Sequence, residues 1–178
     1  MMDFEAIRFV RLTQDHMFPT FDCGDDDLNE FLMTDAIKYQ QGLLAVTYLA
    51  QINDETIGYV SLANDKISVK DSSKAVWRKI KRVFHHSKHR GDYPAVKVGR
   101  LAVGRNYQGN DIGTRILDFI KYAFVNKNRT GCTFVTVDAL RSAIPFYLKN
   151  NFKCLDISQL TSDTNTVQMY YNLTELLQ

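Results

Sequence analysis

The sequence of 178 residues has only three cysteines and three prolines, and it contains no long uninterrupted apolar run. The cysteines lie far apart and form no Cys-x-x-Cys pair, so neither a disulfide framework nor a zinc site is expected. No apolar stretch approaches the roughly 18 residues that a membrane span requires. The first residues also lack the apolar core of a signal peptide. These absences predict a cytoplasmic protein without a membrane partner.

A strong excess of either charge is missing too, because 22 basic residues are set against 20 acidic ones and the net charge is only +2. An interaction with nucleic acid can therefore be argued only from a local patch. The apolar content of 45% and the charged content of 24% are ordinary for a globular protein. The length predicts one domain over residues 1–178.

The centre of the chain contains the most informative pattern. In residues 95–104 apolar and polar side chains alternate, and small and β-branched side chains are frequent, which predicts a strand. From Gly113 onward, Ile116, Leu117 and Ile120 are spaced as on one helical face. A strand, a glycine-containing loop and a helix N-terminus in series form an anion site, since orphan N–H groups and the helix dipole point to one place. This favours a pyrophosphate ligand, although the patterns of dinucleotide and nucleoside-triphosphate sites are absent.

The remaining elements predict an α+β protein. Helical periodicity is found in residues 25–41, which Asp25 or Asp26 can cap, and in a short segment at 142–150, with Ser142 as cap and Pro145 in the first turn. Strands are expected at 7–12, 43–52, 57–63, 133–139, 152–157 and 167–173, with an extended piece at 66–69. Because a helix separates the strands ending at Val103 and Ala139, these two are expected to be parallel neighbours.

The loop resembles the acetyl-CoA loop of the GNAT (Gcn5-related) N-acetyltransferases, which follows a strand ending in Leu-x-Val and reads Gln/Arg-x-x-Gly-x-Gly/Ala. Here the strand ends in Leu101, Ala102 and Val103, and the loop contains Gln108, Gly109, Asn110, Asp111, Ile112 and Gly113. Asp111 stands where the family usually has its middle glycine. If the backbone there has a positive φ, aspartate tolerates it better than most residues do.

A second motif follows about 40 residues later. GNAT proteins read Ala-x-x-Phe-Tyr-x-x-x-Gly-Phe in this region, and the chain matches from Ala143 through Phe146 and Tyr147 to Phe152, with Asn151 in place of the glycine. Asparagine is the usual substitute at a left-handed helix C-cap. The resemblance implies the GNAT fold, in which helices flank a mixed, mostly antiparallel central sheet that is splayed at a parallel strand pair.

The resemblance also implies the chemistry. In such enzymes acetyl-CoA is the acyl donor, and its diphosphate binds to backbone amides of a loop and of the following helix. The corresponding amides here are those of the turn from Gln108 to Thr114. Backbone groups of Leu101, Ala102 and Val103 align the pantetheine arm. Tyr147 takes the position of the general acid. In water, proton transfer from a phenol to a thiolate is uphill by about 2 kcal/mol, and we expect the helix N-terminus to lower the phenol's pKa and reduce that difference.

Most of the chain is similar to one GNAT subgroup, the acetyltransferase toxins of toxin–antitoxin pairs, which acetylate the amino group of aminoacyl-tRNA. The matching positions are 21–24 with Leu28, Gly58 with Tyr59, and 99–103. The resemblance makes an antitoxin and a homodimer candidate partners. Within the enzyme class, a small amine or a protein amine is the alternative acceptor. The second class of function is a non-catalytic module that binds CoA or a partner protein.

Residues 71–92 are expected to form a basic helical insertion. Between the two terminal acids the segment has seven Lys or Arg residues and three histidines but no carboxylate, with apolar residues at near-helical spacing. The Lys and Arg residues of 74–90 could bind tRNA phosphates, or the segment could be a solvated helix packed by Trp77 and Phe84. A metal site formed by His85, His86 and His89 is a weaker alternative. The aspartates at 25–27 could also form a metal site, but a role in capping the following helix is the preferred interpretation.

Overall fold

A computed structural model describes residues 6–18, 21–82, 91–127 and 130–177. Over these residues seven strands form one mixed sheet in the order β1-β2-β3-β4-β5-β7-β6, with β4 and β5 as its parallel pair. The strands are β1 Arg8–Arg11, β2 Val46–Ile52, β3 Glu55–Ser68, β4 Asp92–Val103, β5 Phe134–Leu140, β6 Lys153–Cys154 and β7 Thr166–Asn172. The predicted mixed sheet and its parallel pair are confirmed.

Helices flank the sheet. The first is continuous, with α1 (Asp26–Glu30), a π-helical segment (Phe31–Asp35) and α2 (Ala36–Gln41). It is followed along the chain by α3 (Lys74–Arg82), α4 (Ile112–Asn126) and α5 (Ile144–Lys149). Asp25 caps α1, because its side chain accepts a hydrogen bond from the Leu28 amide, and Gly42 ends α2. The capping role of Asp25 agrees with the preferred interpretation of the acidic cluster.

The chain divides into two compact units. Unit 1 comprises residues 1–64 and 98–122. Its core lies between the first helix and strands β2 and β3, and it includes Leu32, Leu49, Tyr59 and Ala102. The Tyr59 hydroxyl is buried and donates a hydrogen bond of 2.8 Å to the Leu28 carbonyl, so this aromatic ring fixes α1 to the sheet.

Unit 2 comprises residues 65–97 and 123–178. Its core brings Val76, Trp77 and Ile80 of α3 together with aromatic residues of the strands, Phe134 and Tyr170 among them. Seven residue pairs join β5 and β7 in antiparallel register, from Phe134 opposite Asn172 to Leu140 opposite Thr166. The segment between β6 and β7 therefore lies beyond the Leu140 end of β5, from which α5 also begins.

Two local predictions are wrong. The expected strand at 152–157 is reduced to Lys153–Cys154, because the Asp156 side chain accepts a hydrogen bond from the Ser158 amide and starts a 3₁₀ turn, Ile157–Leu160. Ser142 does not cap α5, since a 3₁₀ turn at Arg141–Ala143 leads directly into the helix. Pro145 lies in the first turn as predicted.

No helix within the described ranges is long and apolar enough to cross a membrane. In the same ranges no three His, Cys, Asp or Glu side chains are grouped so that they could hold a metal ion. The histidines His85, His86 and His89 lie outside the described residues, together with the second half of the predicted basic segment.

Candidate active site

The predicted anion loop lies in unit 1 and connects β4 to α4. Ala102 is buried, and Leu101 and Val103 on either side of it are half-buried. The chain then passes through a 3₁₀ turn, Arg105–Tyr107, before α4 begins at Ile112. The predicted succession of strand, loop and helix is therefore present, with the helix starting one residue earlier than expected.

Two residues of the loop have left-handed backbone conformations, Gly109 with φ +77° and Asp111 with φ +56°. The side-chain amide of Asn110 donates to the carbonyls of Tyr107 (3.3 Å) and Gln108 (3.1 Å), which closes the turn. The positive φ explains how aspartate replaces the family's glycine, because its short polar side chain tolerates this region. Asp111 is exposed.

The first amides of α4 make no backbone hydrogen bond with the described residues. The amide of Arg115 donates to the Asp111 carbonyl at 3.1 Å, which is the first hydrogen bond of the helix. The three preceding amides, those of Ile112, Gly113 and Thr114, donate to no backbone carbonyl of the described residues. Orphan amides at the N-terminus of a 15-residue helix carry partial positive charge and favour an anion.

Gln108, an exposed residue, holds the loop in place with its side-chain amide. Its Nε2 atom donates to two carbonyls, that of Val103 at the end of β4 (2.9 Å) and that of Cys23 (2.8 Å). The Arg105 amide donates to the Asp22 carbonyl at 2.8 Å, and the Arg105 guanidinium pairs with the Asp22 carboxylate at 3.0 Å. The anion loop is therefore braced by the 21–24 segment, which sequence similarity singled out without indicating a role.

Asp22 organises that brace. Its carboxylate accepts hydrogen bonds from the Asn29 side chain (3.0 Å) and from the Gly24 amide (2.8 Å). These bonds, and the charge of Arg105, hold the pKa of Asp22 below its ordinary value. The carboxylate therefore stays ionised at neutral pH. The local sequence signal for this brace is the spacing between Asp22, just before α1, and Asn29, within α1. The second partner of Asp22, Arg105, is more than 80 positions away and gives no such local signal.

Tyr147 lies in unit 2, on α5, and is 6% exposed. Its ring contacts Phe146 and Phe152 edge-on, at centroid distances of 5.0 and 5.3 Å. Asn151 ends the helix with φ +65°, and the Phe152 amide donates to the Tyr147 carbonyl at 3.0 Å. The replacement of the family's glycine by asparagine therefore preserves a left-handed cap.

Burial raises the pKa of the Tyr147 phenol to about 12. The expected lowering by the helix N-terminus is wrong, because desolvation penalises the phenolate more than the short helix favours it. The hydroxyl donates no hydrogen bond to the described part of the chain. The phenol is therefore fully protonated at neutral pH and has its proton available for a ligand.

In the described part of the basic segment, Lys74–Arg82 form a helix, and this α3 buries Val76, Trp77 and Ile80 in the core of unit 2. Its opposite side is cationic, while Lys81 lies beside the buried side, with its Nζ atom 5.9 Å from the centroid of the Trp77 ring. The exposed cations on α3 are Lys74, Arg78, Lys79 and Arg82. The packing of Trp77 and the exposed basic side agree with the interpretation as a solvated helix packed on the core, and the binding of tRNA phosphates by this basic side stays a prediction.

Residues 44–154 match the sequence model of a family described as "Acetyltransferase (GNAT) domain". The chain belongs to the GNAT acetyltransferase family. The family predicted from the loop and from the Tyr147 motif is therefore confirmed, and so is the predicted class of enzyme, an acetyl-CoA-dependent N-acetyltransferase.

Solved structures agree with the GNAT assignment. A tyrosine-to-phenylalanine mutant of KacT is 22% identical, with a TM-score of 0.77, and the match covers 97% of this chain and 98% of KacT. AtaTR bound with AcCoA is 23% identical, with a TM-score of 0.75 and coverage of 98% and 99%. AtaT complexed with acetyl-methionyl-tRNAfMet is 22% identical, with a TM-score of 0.74 and coverage of 96% and 97%. This similarity extends the GNAT fold over nearly the whole chain.

Proposed function

We propose that this GNAT protein transfers the acetyl group of acetyl-CoA to the α-amino group of an aminoacyl-tRNA by direct attack of the amine on the thioester. The observation that carries the proposal is the braced turn before α4, with positive φ at Gly109 and Asp111 and orphan amides at the helix start. Structures of AtaT with acetyl-CoA and with acetyl-methionyl-tRNA support it, because they share the fold over nearly the whole chain.

The donor is held by backbone groups. The amides of the turn from Gln108 to Thr114, including Asn110 and the first turn of α4, bind the diphosphate of CoA. Backbone groups of Leu101, Ala102 and Val103 pair with the amides of the pantetheine arm as a neighbouring strand would. One N–H of this strand end donates to the thioester oxygen as negative charge develops there, a contribution of roughly 3 kcal/mol.

Tyr147 protonates the leaving group. The neutral amine forms a bond to the carbonyl carbon, the C–S bond breaks, and the phenol proton passes to the sulfur. The amine releases one proton to solvent, and the phenolate takes up a proton from solvent to restore the phenol. A phenol pKa of about 12 looks too high for an efficient acid. However, the same desolvation raises the proton affinity of the departing thiolate, so the difference measured in water does not apply.

An α-amine is the acceptor because it needs no dedicated base. Its pKa lies near 7.7 to 8, whereas a lysine amine at about 10.4 requires a base or a desolvated pocket. The basic surface of α3 supports tRNA as the carrier of that amine, since clustered cations bind phosphates without reference to sequence. We further propose that residues 1–178 act as a single acetyltransferase domain in the cytoplasm.

An antitoxin is the proposed protein partner. A structure of an AtaT mutant toxin shows it bound to the C-terminus of the antitoxin AtaR. That toxin is 22% identical in sequence to this chain, with a TM-score of 0.71. Co-expression with a candidate antitoxin should restore growth that this protein arrests. If expression of the protein leaves growth and translation unchanged, the toxin role is excluded while the enzyme activity remains to be judged by acetyl transfer.

Acetyl transfer is tested with labelled acetyl-CoA and charged tRNA. We expect acetylated aminoacyl-tRNA and free CoA thiol, and we expect Tyr147→Phe to slow turnover by a factor of roughly 10² to 10⁴. Tyr39→Phe is the matched control, because this tyrosine is 43% exposed and should tolerate the same change. Thiol release with a small or protein amine but not with tRNA would refute the tRNA acceptor, and acetyl-CoA binding without any thiol release would refute the enzyme.

A further inference from the structure

A groove of about 360 Å³ lies in unit 2 beside α3, within the size range of small-ligand clefts, roughly 300 to 1,000 Å³. Its floor and walls are mostly apolar, formed by Val76, Ile80, Phe134, Cys154, Ile157 and Tyr170. Its polar lining consists of Lys79, Lys153, Asn172 and Glu175. The groove thus combines an apolar floor with a small number of polar groups, as ligand sites do.

Asn172 supplies an unused donor in the groove. The residue is only 8% exposed, and its Oδ1 atom accepts hydrogen bonds from the amide (3.1 Å) and hydroxyl (2.9 Å) of Thr174. These bonds fix the orientation of the side-chain amide. Its Nδ2 atom donates to none of the residues that the structure describes. The NH₂ group is reached from the groove and is not sealed in the core, so it can donate to a ligand that offers an acceptor.

The charge of the groove points to an anionic ligand. Lys79 is exposed and forms no ion pair with a described residue, while Lys153 is paired with Glu175 at 2.5 Å. Arg82, one helical turn after Lys79 on α3, is exposed as well. The groove therefore has positive charge along the edge that α3 forms.

We infer that this groove binds one nucleotide of the tRNA, with its base on the apolar floor, a base carbonyl on Nδ2 of Asn172 and a phosphate on Lys79. A nucleotide combines an aromatic ring, carbonyl acceptors and a negative charge, which single-strand binding sites hold in this way. An acidic peptide offers carboxylates, but it does not combine a ring, a ring carbonyl and a phosphate in one unit as a nucleotide does. The inference rests on the proposed tRNA substrate.

Cys154 provides a direct test because its side chain lines the groove, whereas Cys132 lines a different cavity of the same unit. We expect saturating tRNA to slow alkylation of Cys154 by N-ethylmaleimide at least fivefold and to leave that of Cys132 unchanged, as measured by peptide mass spectrometry. Equal rates at Cys154 with and without bound tRNA would overturn the inference. Protection by an acidic antitoxin peptide and not by tRNA would also overturn it.

Asn172→Asp tests the donor with little change in shape. The carboxylate can still accept both hydrogen bonds from Thr174, but it replaces the NH₂ donor by a negative charge. We expect tRNA affinity to fall at least tenfold, with an unchanged melting temperature, and Lys79→Ala to lower the salt slope of binding by about one. Lys127→Ala removes the same charge from an exposed site beyond α4. This control should change neither the tRNA affinity nor the salt slope of binding. Unchanged affinity in Asn172→Asp would refute the role of the groove.

The inference and the proposed function fail separately. If the protein acetylates charged tRNA but Cys154 is not protected, the groove is not the nucleotide site and the enzyme activity stands. If tRNA protects Cys154 but no acetyl group is transferred, the groove stands and the proposed function does not.

Discussion

Two residues with positive φ stand at positions where the GNAT motifs have glycine. Asp111 and Asn151 stand where the family has glycine, and both have left-handed backbone conformations, with φ values of +56° and +65°. Aspartate and asparagine are the residues besides glycine that most readily adopt this region. Both turns are therefore retained. At Asp111 the chain nevertheless places a carboxylate beside the proposed diphosphate site.

Replacing Asp111 by glycine is expected to improve donor binding. Asp111→Gly retains the turn and removes a negative charge near the diphosphate, so KM for acetyl-CoA should decrease two- to tenfold, as measured by initial-rate kinetics. The matched control is Asp54→Gly, in the exposed β2–β3 turn, where φ is +66°. An equal decrease in both variants, or none in Asp111→Gly, would show that the carboxylate points away from the ligand.

The raised pKa of Tyr147 predicts the pH dependence of the rate. With a pKa of about 12 the phenol is almost fully protonated up to pH 10, so the proposed general acid is present throughout the usual assay range. The rate should rise with pH until the acceptor amine is neutral, near pH 8, and then remain level to pH 10. A decline in turnover rate between pH 8 and 10 would contradict this assignment. Because the folded pKa is the higher one, stability from the buried phenol is lost only as pH rises from 10 towards 12.

At the scale of elements, close contact between β3, β4 and α4 positions the anion loop. A Cβ atom on Gly58 of β3 would lie 2.9 Å from the Ala102 carbonyl oxygen and 3.1 Å from Cδ1 of Ile116. The absence of a side chain therefore allows the end of β4 and the first turns of α4 to lie directly on β3. This explains why a glycine matters at the start of the Gly58–Tyr59 motif.

Gly58→Ala should therefore destabilise unit 1. Overpacking of this kind costs about 1 to 3 kcal/mol, and the displaced β4 end should also raise KM for acetyl-CoA. Gly99→Ala on β4 is the matched control, because its Cβ would meet only the Ser61 carbonyl oxygen, at 3.6 Å. Urea denaturation and initial-rate kinetics distinguish the two variants, and equal stability would disprove the close-contact argument.

On the scale of the whole molecule, the brace links the site to segments distant in sequence. Gln108 bonds the Val103 and Cys23 carbonyls, so donor binding should stabilise unit 1 beyond the loop itself. A ligand that binds only the folded state, at a concentration of 100 Kd, adds about 2.7 kcal/mol of stability.

We expect saturating acetyl-CoA to raise the melting temperature by several degrees, and Gln108→Ala to lose much of this increase at the same ligand concentration because the loop loses both side-chain hydrogen bonds. The exposed Gln41→Ala serves as control. Differential scanning fluorimetry measures the shift. If Gln108→Ala responds like the wild type, the brace does not support the donor site.

Much of this architecture was accessible from local patterns. Periodicity located the helix capped by Asp25, the β2–β3 hairpin and the strand–loop–helix unit around Gly109, because each depends on neighbours a few residues apart. Resemblance then identified the family from two short motifs. Predictions failed where a local polar contact overrode the pattern. Asp156 turned an expected strand into a 3₁₀ segment, and Ser142 lost its capping role to the turn at Arg141–Ala143.

The sequence by itself determined the family, the order of the elements and the residues with left-handed turns, because spacing and side-chain size act over short distances along the chain. Only the tertiary structure decided the rest. The pKa of Tyr147 depends on burial by several segments, the brace joins Asp22 to Arg105, and the groove joins α3 to Asn172. Desolvation and charge depend on distance in space, which folding sets and which no single stretch of sequence contains.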